Sequence, residues 1–177
     1  MNVVDKLRSN EGTISMLLLL VFFGVLGGIT IYLVTVPVLK NDIRITVRKA
    51  VDSACIMIEP NSDNEMVFNQ SKGYNAFLKV LQTNLELDAS NNPTNLNSYI
   101  KDQVTVDTFV FYDESTATFP RPNPLDSNEI LTKPFIYAQV SIPYTFRALG
   151  KLVKNAESKG AVRKLTVSLV VAADELP

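Results

Sequence analysis

Residues Thr13 to Leu39 read TISMLLLLVFFGVLGGITIYLVTVPVL, with no charged side chain between Glu11 and Lys40. A helix crosses the hydrocarbon core of a bilayer with roughly 20 apolar residues, because no water is there to solvate a free backbone N–H or C=O. The stretch is long enough for that and predicts a transmembrane helix over 13–39. A cleaved secretory signal is the competing reading. It needs a basic start, which Lys6 and Arg8 supply, and an apolar core of about 7–15 residues ending in a small-x-small site. The run is longer, and its end, Val36-Pro37-Val38-Leu39, offers no such site. A retained single-pass anchor is expected, with membrane lipid as its partner.

On the N-terminal side, residues 1–12 form a short polar tail. Lys6 and Arg8 precede the run, and Lys40, Arg44, Arg48 and Lys49 follow it. A plain cation count places the C-terminal side in the cytoplasm, yet long C-terminal domains translocate regardless of charge. The preferred arrangement is a cell-membrane protein with its N-terminus inside and its C-terminal domain outside. Within the run, Gly24 and Gly28 have small-xxx-small spacing and Gly27 lies between them. That spacing lets two helix backbones approach closely in lipid, although glycine is common in membrane helices on any account. These three are candidate helix-packing residues. Pro37 predicts a kink or a change of direction.

On the C-terminal side, Ile43, Val47, Val51, Ala54 and Ile58 recur every three or four residues, with Asp42, Arg44, Arg48, Lys49 and Asp52 between them. This is one apolar stripe on an amphipathic helix over 40–59, stopped at Glu59-Pro60 because the residue before proline disfavours helix. Cys55, beside the stripe, reads as a small buried apolar side chain rather than a reactive thiol.

Residues 60–177 read as an α+β domain. A polar connector over 60–72 contains Met66-Val67-Phe68 as a short strand. Its Asp63 and Glu65 lack the carboxylate density of a calcium loop, and Asn69-Gln70-Ser71 matches a glycosylation sequon. Tyr74, Phe77, Leu78, Leu81 and Leu85 form a second helical face. Alternating patterns predict strands over 104–112, 136–146 and 165–173, with Pro143 implying an edge position or a bulge. The Pro-rich stretch Phe119–Pro124 reads as a loop. Three strands with one apolar face need a cover, and the two amphipathic helices are available for it. The expected fold is α+β: a single N-terminal transmembrane helix, extended by an amphipathic helix and packed on a small antiparallel sheet.

Composition narrows the chemistry. The chain has no His and one Cys, which removes His-based acid–base catalysis, Ser-His-Asp and Cys-His pairs, and most zinc sites. Asp113, Glu114, Asp126 and Glu129 lack the spacing and apolar pocket of a hydrolytic carboxylate pair. No phosphate-binding Gly loop, CxxC pair or nucleophile elbow is present. Neither enzymatic activity nor a cofactor nor a bound metal is expected. Seventeen basic and 18 acidic residues give a net charge of −1, so nothing draws the chain toward nucleic acid. Charge is concentrated in 147–164, where Arg147, Lys151, Lys154, Lys159, Arg163 and Lys164 face a single Glu157. Leu149, Leu152, Val153 and Ala156 predict a short amphipathic helix there. The segment reads either as a solvated connection between strands or as a contact for an anionic partner such as lipid headgroups, a wall polymer or the acidic face of a neighbouring subunit.

Three segments carry a family resemblance. They are Asn10-Glu11-Gly12-Thr13-Ile14-Ser15 leading into the apolar run, Phe77–Asp88 as a helix entering a loop, and Tyr137–Phe146 as an alternating strand running into aromatics. With one N-terminal anchor, a helix continuing from it and a β-rich C-terminal domain, the chain resembles type IV pilin-like proteins. More narrowly, it resembles the TadE/TadG-like minor pilins, or pseudopilins, of tight-adherence pilus systems. The resemblance implies a structural subunit of a bacterial surface filament or its assembly machine. Such a subunit self-associates, or joins other pilin-like subunits, through its N-terminal helix. It also implies Gly12 as a processing site. Type IV pilins carry Glu five residues after that glycine, whereas this chain has Leu17 there. Association would then rest on apolar packing alone. The alternative reading is a monomeric membrane-tethered module that binds an anionic partner through 147–164.

Overall fold

The computed structural model describes residues 3–95, 98–145 and 163–173. The apolar run and the amphipathic stripe belong to one helix, α1 (Val3–Cys55), with Pro37 inside it. Pro37 withholds one N–H from the helical ladder, and the helix continues on both sides. Most of the polar tail, including Gly12, is helical. The hydroxyl of Thr30 donates to the Leu26 carbonyl at 2.9 Å, which satisfies it without solvent. The described residues divide into two compact units, one up to Leu39 and the other from Lys40 on.

In the second unit the stripe is buried as its periodicity predicts: Ile43, Val47, Val51 and Ala54, joined by Ala50 and Cys55, are solvent-free. The helix stops at Cys55 rather than running to Glu59. Ile58–Pro60 instead form strand β1, antiparallel to β2 (Met66–Phe68), with Ile58 opposite Phe68. The turn between them is built on Asn61, whose side-chain carbonyl accepts the amides of Asp63 and Glu65, both at 2.9 Å. Asp63 and Glu65 thus belong to a tight turn.

Helix α2 (Gln70–Leu85) starts at Asn69, whose side chain accepts the Lys72 amide. The sequon asparagine is therefore an N-cap that satisfies one of the helix's free donors. The helix ends at Glu86 in left-handed conformation (φ 52°), with the Leu87 amide returning to the Gln82 carbonyl at 2.8 Å. Of the expected apolar face, Phe77, Leu81 and Leu85 are buried, while Tyr74 is partly exposed.

The main sheet is antiparallel, ordered β3 (Thr105–Tyr112), β6 (Phe135–Tyr144), β7 (Arg163–Ala172). Pro143 lies in the central strand, which corrects the expected edge position. It sits opposite Lys164, past Ser141, the last β6 residue paired with β3, where no ladder amide is required on that side. The irregularity of register lies instead in β3, between Val106 and Thr108. The Pro-rich stretch is more ordered than a loop: β4 (Arg121–Pro122) pairs with β5 (Ile130–Leu131), and the Arg121 guanidinium lies 4.4 Å from the centre of the Tyr112 ring. Phe77 and Phe109 rings are 4.4 Å apart and Phe109 and Phe111 rings 5.2 Å, so α2 covers β3 through an aromatic layer.

These contacts define two ends of the domain. At one, the Cys55 Sγ is 3.7 Å from the Val171 carbonyl, and Gly73 at the start of α2 lies against Phe111 and the Ala54 carbonyl. At the other, the Tyr99 carbonyl accepts the Thr145 amide at 2.8 Å, and the Pro143 carbonyl accepts the Lys101 amide at 3.3 Å. Burial, then the negative charges of Asp42 and Glu86, push the Tyr99 phenol above its ordinary value of 10.0. The Lys40 end of the amphipathic stripe, the end of α2, the end of β6 and the start of β7 therefore lie together.

Candidate functional site: an exposed apolar helix

Four consecutive residues of α1, Leu17, Leu18, Leu19 and Leu20, are 61, 66, 55 and 67 % exposed. Consecutive positions point in different directions on a helix, so the segment is apolar all round. Ile14, Phe22, Phe23, Val25, Leu26 and Ile29 are exposed in the same way. Water does not tolerate such a surface on a stable monomer. By length and composition α1 is able to cross a membrane, with a mean hydropathy of 2.6 over its most apolar window.

Within this segment Gly24 and Gly27 are exposed, and a Cβ added to either meets no atom within 4 Å. Gly28 is half-buried. Among the described residues, nothing requires glycine at 24 or 27. Their lack of side chain flattens the helix where an external backbone would approach.

The basic segment falls largely elsewhere. Arg147, Lys151, Lys154 and Lys159 lie outside the described residues, while Arg163 and Lys164 are exposed at the start of β7. The carboxylates are not brought together as a reactive pair. Glu129 accepts the Asn123 side-chain amide in the β4–β5 turn, and Asp126 accepts the Asn128 amide there. Asp113 is buried, 1 % exposed, and structural. One oxygen accepts the Phe68 amide at 2.8 Å; the other accepts the Ser115 and Thr116 amides and both hydroxyls at 2.7–3.2 Å. Burial alone would raise its pKa, but the bonds from Phe68, Ser115 and Thr116 outweigh it and hold the carboxyl below its ordinary 3.8. The Asp113-Glu-Ser-Thr116 sequence after a strand is a legible signal for such a turn. No three metal-ligating side chains converge among the described residues. Comparison with protein-family models, with curated proteins and with solved structures finds no match to this chain.

Proposed function

We propose that this protein is a pilin-like structural subunit of a surface filament or of its assembly machine, membrane-anchored and self-associating through α1. The observation that carries the reading is the composition of that helix. Its segment Ile14–Ile29 is apolar on every side and largely exposed, and its last turns contribute a buried stripe to an α+β domain. A helix that served only to tether would need no continuity with a domain core. A filament subunit benefits from it, because the element that packs between copies also positions the domain that each copy displays. In the absence of an intramembrane charge the association rests on close packing of apolar surface, with Gly24 and Gly27 as points of nearest approach. The TadE/TadG-like resemblance supports the same reading, with the domain outside the cell.

The test is the assembly state of the full chain in mild detergent and in lipid nanodiscs, with pairwise cross-linking along 14–38. Complexes larger than the monomer, cross-linked on the Gly24 and Gly27 side of the helix, are expected. A chain that stays monomeric in both media, and that enters no filament or multi-subunit complex in its native membrane, overturns the proposal.

A further inference from the structure

Strand β7 is the outer strand of the main sheet, and its far side meets no described strand. The Ala173 amide donates to the Pro134 carbonyl at 2.9 Å. By the alternation of an antiparallel ladder, Leu165, Val167, Leu169 and Val171 also turn their amides toward β6. Lys164, Thr166, Ser168, Val170 and Ala172 turn theirs to the free edge. Thr166 is exposed, and Ser168, Val170 and Ala172 are half-buried. From Leu165 to Ala173 the sequence LTVSLVVAA contains no charge, proline or glycine. Sheets of native proteins blunt a free edge with a charge, a proline, a bulge or a very short strand. β3, the opposite outer strand, carries Asp107 and an irregular register between Val106 and Thr108. Beyond Arg163 and Lys164 at its start, β7 has no such device along its ten residues.

A long, unguarded edge is a template for another strand, and the sequence of β7 is complementary to itself. We propose that β7 of one copy pairs antiparallel with β7 of a second copy, Ser168 opposite Ser168, so that two three-stranded sheets become one. This register engages every edge-facing amide of the strand. On the outer face it sets Thr166 opposite Val170 and Lys164 opposite Ala172. On the core face it sets Val167 opposite Leu169 and Leu165 opposite Val171, pairs of the apolar and β-branched kind that stabilise a sheet. The two Lys164 side chains fall about 27 Å apart along the strands, well beyond a Debye length of about 8 Å. Parallel pairing in register would place them side by side. The contact is isologous and closes on a pair of copies. A head-to-tail contact would have to use the edge of β3, where Asp107 and the irregular register oppose pairing. The inference goes beyond association through α1 and does not depend on it.

The test is oxidative cross-linking of the full chain in mild detergent, with Cys55 buried away from the oxidant. Facing residues of a hydrogen-bonded pair have Cα atoms about 5.5 Å apart, within the reach of a disulfide. Ser168→Cys is expected to give a disulfide-linked dimer. Thr166→Cys alone and Val170→Cys alone would lie about 14 Å from their own counterparts and should link poorly, whereas a mixture of the two should link well. Ser168→Lys sets two ammonium groups face to face. In a Gly24→Leu, Gly27→Leu background it should weaken the remaining association by roughly tenfold, with the near-ultraviolet circular dichroism of the domain unchanged. Equal cross-linking at 166, 168 and 170, or none at 168 and none in the mixture, overturns the proposal while leaving association through α1 untouched. A Ser168→Cys dimer that disappears when Gly24→Leu and Gly27→Leu are added also overturns it, because collision along α1 would then be its cause. In the native membrane, links from 168 to other polypeptides without a dimer of this chain overturn the choice of partner.

Discussion

Replacing Asp113 with alanine tests how the small β1–β2 ribbon is tied to the main sheet. The carboxylate is the acceptor for the Phe68 amide of β2 and for the Ser115–Thr116 turn that follows β3. Ser115 and Thr116 are exposed, so their donors regain water when the carboxylate is lost. Phe68 is 5 % exposed and its amide does not. A buried donor left without an acceptor costs about 1–3 kcal/mol, and bonds to a charged group sit at the upper end of the range, so Asp113→Ala should cost about 3 kcal/mol. With a urea slope of about 1.5 kcal/mol/M, the midpoint should fall by about 2 M. Asp113→Asn keeps one acceptor oxygen and should lose about half as much. The assay is urea unfolding of the full chain in detergent, followed by near-ultraviolet circular dichroism of the tyrosines and phenylalanines. The pH dependence supplies the sign. The folded carboxyl titrates below 3.8, so its contribution is fully present above the unfolded value and disappears as pH falls through the folded one. The parent should therefore lose stability below about pH 4 and Asp113→Asn should lose less. A midpoint shift under about 0.3 M for the alanine variant, or the same acid sensitivity in parent and Asp113→Asn, would refute the reasoning.

Three further outcomes follow from the packing. Gly73→Ala places a Cβ 3.0 Å from the Phe111 ring and 3.4 Å from the Ala54 carbonyl; the ring has to move, at a cost of about 1–3 kcal/mol read by thermal unfolding. Phe77→Ala opens the aromatic layer between α2 and β3 and should cost about 3–5 kcal/mol in the same assay. At Gly24 and Gly27 an added Cβ meets nothing among the described residues, so Gly24→Leu with Gly27→Leu starts from open space. Domain unfolding should be unchanged, while self-association in detergent, measured by sedimentation, should fall by about tenfold if each substitution removes several tenths of a kcal/mol of helix packing.

The parts of this fold that periodicity encodes were legible before any coordinates. Ile43, Val47, Val51 and Ala54 repeat at helical spacing and are buried together, and the alternation in β3, β6 and β7 marks strands that pair in one sheet. Features decided by contacts distant in sequence were not legible. Whether α1 ends at Cys55 or Glu59 depends on Ile58–Pro60 finding Met66–Phe68, a choice that the stripe alone does not make. Pro143 looked like an edge residue because a central strand ordinarily needs amides on both sides; it is tolerated where β3 has already left β6. Arg121 and Pro122 form a strand because Ile130 and Leu131 return beside them, although the proline density around them reads as loop. As for the candidate site, the apolar run and its glycines were visible in the sequence.

The continuity of α1 bears on how the domain withstands tension. Ile43, Val47, Ala50, Val51, Ala54 and Cys55 are the side chains by which any pull on the anchor reaches the domain. Burying the three largest, Ile43, Val47 and Val51, is worth roughly 5–9 kcal/mol, comparable with the whole stability of an ordinary domain. Drawing the helix out of the domain and unfolding the domain are then nearly the same event, so a stretched assembly should fail inside a subunit's fold before the helix slides free of an intact one. By the same reasoning, a soluble fragment that begins after Cys55 should not fold, whereas one that begins at Lys40 retains every buried residue of the stripe.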